Sequence, residues 1–135
     1  MPRDAEAAWG QWVMARCSIA FALEEEVRDA LSGDDLLWRL DPDSGREALE
    51  RLGDALATLP REIAERPPPP SLVPFRDALV AYLSWRAAIN QRMLIAAELD
   101  GWDGAHAAFV ADAAAGERLF RDFQNRLART AFSRQ

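Results

Sequence analysis

The chain has no lysine, one cysteine, one histidine and one tyrosine. All sixteen basic residues are arginines, so Schiff-base chemistry and a lysine phosphate anchor are excluded. Cys17 has no second thiol to pair with; set among apolar neighbours in a helical stretch, it reads as a buried, inert thiol. With His106 alone, multi-histidine metal sites are excluded, and so is histidine-based catalysis that does not use that residue. β-Branched residues are scarce as well. Val, Ile and Thr number 11, against 42 Ala and Leu, a balance that favours helices over strands. Long uncharged runs are missing: Ala7–Ala15 and Pro67–Phe75 span nine residues each, against about 20 for a membrane-spanning helix. Asp4 and Glu6 stand where a signal peptide carries basic residues, and no apolar segment follows, so the expected location is cytoplasmic.

What is present suffices for a core. The 135 residues are half apolar, with 31 Leu, Ile, Val and Phe and five Trp, which argues against disorder and for a single domain over residues 1–135. The expected class is all-α, an up-down-up-down four-helix bundle. Helix one covers residues 4–31, with Trp9, Val13, Cys17, Ala20, Val27 and Leu31 at helical spacing and Ser32-Gly33-Asp34 as its stop. A short extra helical turn follows at Leu36-Leu37-Trp38. Helix two covers 44–66: Ser44 with Glu47 fits a capping box, and Leu49, Leu52, Leu56, Leu59 and Ile63 form one narrow stripe. Pro60 removes an amide and crowds the carbonyl of Leu56, so a kink or break is expected near Leu59. The Pro-rich connector 67–74 then leads to helix three, 75–99, ended by Asp100-Gly101. Asp103 caps helix four, 104–132, with the stripe Phe109, Ala113, Phe120, Phe123, Leu127 and Ala131.

Charge is uneven along such a bundle. The end built from residues 24–54 and 92–112 sums to −10 and the opposite end to +4, giving the net −6. A solvated surface accounts for this, as does steering toward a basic partner or head-to-tail self-association. Asp34, Asp35, Asp41 and Asp43 are the candidate partner-binding acids. A net-acidic chain is a poor direct binder of nucleic acid, but its acidic end can imitate phosphates and occupy the groove of a nucleic-acid-binding protein.

Several polar residues fall on apolar stripes. Arg86 and Asn90 lie near the middle of the helix-three face, Arg16 and Glu24 inside the helix-one stripe, and Glu117 at the border of the helix-four stripe. Buried guanidinium groups need partners. An internal salt-bridge network among Arg16, Arg86, Glu24 and Glu117 supplies them, as does placement at a helix edge. A ligand site for a carboxylate or phosphate is the alternative, because Ala113-Ala114-Ala115-Gly116 leaves space at the same depth unless Trp85 fills it. The ligand-site candidates are thus Arg16, Glu24, Arg86, Asn90 and Glu117. Asp100, Asp103 and His106 have a spacing that gathers metal ligands, but helix-end roles explain the two Asp equally well. A haem between His106 and Met93 would lack any attachment motif. No metal or cofactor is therefore expected.

Met14 and Phe21 lie on a second face of helix one, and Trp38 sits between helices. Extra apolar surface of this kind marks interfaces. The leading expectation is accordingly a small interaction module (adaptor, accessory subunit or inhibitor) that docks to a partner protein or to itself, with no nucleic acid or membrane bound directly. A binder or enzyme for an anionic small molecule using the polar layer is the alternative, and the acidic mimic a weaker one. No nucleophile–base pair or phosphate loop is present, so catalytic residues are not assigned.

Overall fold

A computed structural model describes residues 2–32 and 42–130 of the chain. Among them the regular structure is helical, with no strand. The elements are α1 (Pro2–Ser32), α2 (Pro42–Leu56), α3 (Leu59–Glu65), a single 3₁₀ turn (Pro70–Leu72) and α4 (Val73–Ala128). None of the helices among the described residues is long and apolar enough to cross a membrane.

The four separate helices expected from the sequence are replaced by three long helical runs, α1, α2 and α4, with the short α3 beside them. The difference lies at Asp100-Gly101. α4 is two helical stretches joined across a kink, where Asp100 (φ −129°, ψ 15°) and Gly101 (φ 64°, ψ −147°) leave helical geometry. Asp103 follows this kink by two residues, in the first turn of the stretch beyond it. The chain reverses here, because side chains before and after the site meet in antiparallel order. The Phe75 and Phe123 rings lie 5.7 Å apart, Tyr82 and Phe120 5.1 Å, and Trp85 bonds to Asp112. We call the two stretches the arms of α4.

Gly101 is the one residue of positive φ among those described, and no heavy atom lies within 4 Å of where its Cβ would stand. Space is therefore not the constraint; the backbone is, since that combination of φ and ψ is essentially reserved for glycine. Gly101→Ala is expected to cost about 1–3 kcal/mol in urea denaturation. An unchanged midpoint and slope would show that the arms can turn through another backbone path.

The break expected near Leu59 is present. α2 ends at Leu56 and α3 starts at Leu59 with Pro60 in its first turn, where a missing amide costs nothing. α2 begins at Pro42, two residues before Ser44, so Ser44 lies inside the helix and not at its cap. Proline's fixed φ suits that first position. Pro74 does the same at the start of α4.

The predicted stripes of the first two helices form the core, whereas of the helix-four stripe Phe123 is buried and Phe109, Ala113, Phe120 and Leu127 are half-buried. Trp9, Val13, Cys17, Ala20 and Val27 of α1 are buried, as are Leu49, Leu52, Leu56, Leu59 and Ile63 of α2 and α3. Leu79, Leu83, Ile89 and Met93 join them from the first arm of α4. Polar contacts fix the register. Trp9 Nε1 donates to the Arg66 carbonyl at 3.3 Å, and Arg51 meets Glu26 at 3.5 Å, so α1 runs antiparallel to the α2–α3 stretch. Asn90 Nδ2 donates to the Leu49 carbonyl at 2.8 Å and ties the first arm to α2. The anticipated turn at Leu36–Trp38 lies outside the described residues.

Candidate functional site

The sequence offers five polar residues as ligand-site candidates; the structure brings three of them to one cavity. It has a volume of about 380 Å³ and is lined by Glu24 of α1, Tyr82, Trp85 and Arg86 of the first arm, and Phe109, Ala113, Gly116, Glu117 and Phe120 of the second. Helical spacing explains the membership. Tyr82, Trp85 and Arg86 are three and four residues apart, and so share one face of the first arm. Phe109, Ala113, Gly116 and Phe120 do the same on the second.

Glu24 and Arg86 are 4% and 2% exposed, deep enough that each charge has given up most of its water. Such burial is sustained only by pairing and hydrogen bonding. The Tyr82 hydroxyl donates to Glu24 Oε1, which anchors the carboxylate from across the helix interface. Glu117, by contrast, is exposed and lies at the cavity's mouth.

The aromatic wall is set by a second arrangement. Trp85 Nε1 donates to Asp112 Oδ2 at 2.7 Å, and Arg92 Nη1 approaches the same oxygen at 3.8 Å. Held this way, the indole lies against the backbone of Gly116, where a Cβ would stand 2.2 Å from Trp85 Cη2. The small-residue patch thus admits the Trp85 ring, and a cavity remains beside it. The Tyr82 ring lies 6.1 Å from Trp85 and 5.1 Å from Phe120.

Comparison with known proteins returns nothing: no family model, no curated protein and no solved structure matches this chain. The site must therefore be read from its own chemistry.

The other two candidates are elsewhere. Arg16 is exposed and pairs with Glu62 at 3.6 Å, on the α3 side of α1. At 3.6 residues per turn Arg16 stands about 60° from Val13 and about 100° from Cys17 around the axis of α1, enough to carry the guanidinium out to water. Asn90 is fully buried, but its amide is spent on α2: Nδ2 bonds to the Leu49 carbonyl and Gly53 leaves it room, a Cβ there standing 3.0 Å from Nδ2. Its Oδ1 is buried without a hydrogen-bond partner.

Of the candidate partner-binding residues, Met14 and Phe21 are half-buried and pack against the core. The Phe21 ring stacks on Phe123 at 5.9 Å. Asp43 is exposed. Trp38, Asp34, Asp35 and Asp41 lie outside the described residues. His106 stacks against Trp102 at 6.3 Å, and no group of three metal-ligating side chains assembles among the described residues. Burial pushes the Cys17 thiol up to about 12, so it stays protonated at neutral pH and is a poor nucleophile.

Sequence reasoning missed the aromatic lining. Tyr82 carried a usable signal, since it is the only tyrosine and stands one helical turn before Arg86. Phe109 and Phe120 read simply as core stripe, and nothing in the spacing distinguishes a ring that fills a core from one that faces a cavity.

Proposed function

We propose that the protein is a small-molecule binder whose ligand occupies the cavity between α1 and the arms of α4. One observation carries the reading: a carboxylate and a guanidinium, both almost fully buried, line a 380 Å³ space with four aromatic side chains. Ligand sites are mostly apolar hollows of about 300–1,000 Å³ with a few placed polar groups, and this one fits that description at the small end. The framework is an up-down-up-down four-helix bundle in which α1, the α2–α3 stretch and the two arms of α4 serve as rods. Bundles commonly hold ligands between facing helices.

Native mass spectrometry of protein purified without a denaturing step tests the reading. The folded protein is expected to carry a small-molecule mass that is lost on denaturation. The same mass should be missing from Ala113→Phe, which puts a ring into the cavity. Bare wild-type protein, or a mass retained in the filled variant, counts against the site.

A second reading, docking to a partner protein, draws on a different observation. Ile95 and Leu99 lie one turn apart on the first arm at 59% and 79% exposure, with Val110 at 57% on the second. Large apolar side chains this open to water favour a contact surface near the reversal at Gly101.

A further inference from the structure

Resting on the reading of the cavity as a ligand site, we infer that its ligand is a cation: an organic ammonium ion carried on an apolar body. The charge count of the lining reverses the sequence expectation of an anion. Glu24 and Glu117 bring two carboxylates and Arg86 one guanidinium, so the lining carries one net negative charge. In the interior Glu24 and Arg86 offset one another, so the excess negative charge is that of Glu117 at the mouth, and a cation is favoured over an anion on entering.

The remaining walls have the same preference. Tyr82, Trp85, Phe109 and Phe120 are four rings around one space, and ring faces attract cations through their quadrupole, tryptophan most strongly. An ammonium ion with alkyl groups is weakly hydrated and sheds its water into such a cage. Hard inorganic cations call for several oxygen ligands instead, and most of this lining is carbon. The chain's net charge of −6 adds long-range attraction of the same sign.

Two probes of one shape, phenyltrimethylammonium and the uncharged tert-butylbenzene, separate charge from fit, and 4-tert-butylbenzoate, which adds a carboxylate at the far end of the ring, supplies the anion. Each is titrated into the full chain by calorimetry, with the indole N–H resonance of Trp85 followed by NMR to locate binding. The cation is expected to bind about tenfold more tightly than the uncharged probe, and the anion more weakly than either. Glu24→Gln keeps an acceptor for Tyr82 and is expected to weaken the cation about tenfold, with the uncharged probe unaffected. Glu117→Gln, on an exposed side chain that folding does not require, is expected to weaken the cation about two- to fivefold. It keeps the test open should Glu24→Gln unfold. Equal affinity for cation and uncharged probe, or preference for the benzoate, overturns the charge assignment and leaves the ligand site standing. Failure of all three to bind folded protein overturns both.

Discussion

Arg86→Met is expected to destabilise the protein by about 3 kcal/mol, the low end of what removing one member of a buried, oppositely charged set costs. Methionine fills a similar volume, so little of the loss comes from packing. The cost arises because Glu24, 4% exposed, keeps its charge in a lining that no longer holds a cation. The Tyr82 hydroxyl remains as donor, which keeps the effect from reaching the upper end. The double variant Arg86→Met/Glu24→Leu should recover most of the stability, because an apolar pair leaves no buried charge behind. Urea denaturation of the wild type, both single variants and the double variant measures the coupling. Additive effects would mean that Glu24 and Arg86 are stabilised independently by other neighbours.

Gly116→Val is expected to cost about 3 kcal/mol, at the top of the range for inserting methyl groups into a packed contact. A Cβ at this position lies 2.2–2.7 Å from three atoms of the Trp85 ring, so the indole must swing away. To do so it breaks the 2.7 Å bond to Asp112 and enters the cavity. Two readouts should move together: the denaturation midpoint and the indole N–H resonance of Trp85. Ligand binding should disappear even at temperatures where the variant stays folded. A variant as stable as wild type, with the indole resonance in place, would show that the second arm shifts to make room.

The helical class and most of the core follow from spacing alone, because an apolar stripe at 3.6-residue period has one way to be buried. The Leu49-to-Ile63 stripe and the break before Pro60 are read directly in this way. Helix ends are less legible. The Ser44–Glu47 pair satisfies a capping pattern, yet Pro42 starts the helix two residues earlier, since both residues suit a first turn. The stop at Asp100-Gly101 is legible from composition, and both residues leave helical geometry there. For the site, depth along the bundle is readable from residue number and sets Arg86, Glu117 and the small patch together, while Glu24 is a candidate through its place on the helix-one stripe. Rotation about the helix axis is not readable to the same accuracy. Near the edge of a stripe a small error in angle separates a core residue from a surface one, and this is why the spacing groups Arg16 with Arg86 while its side chain pairs with Glu62.

The cavity draws Glu24 from near the start of the chain and Phe120 from near its end, with the first arm of α4 between them. Partly folded chains that lack either stretch therefore lack the pocket, and a ligand of the kind proposed would recognise only the finished fold. Occupancy and folding are then thermodynamically linked. A ligand present at a hundred times its dissociation constant would add about 2.7 kcal/mol to the unfolding free energy, an appreciable share of what a domain of this size possesses. In the cell, the abundance of this protein would follow the supply of its ligand, and the empty form would be the one exposed to proteases.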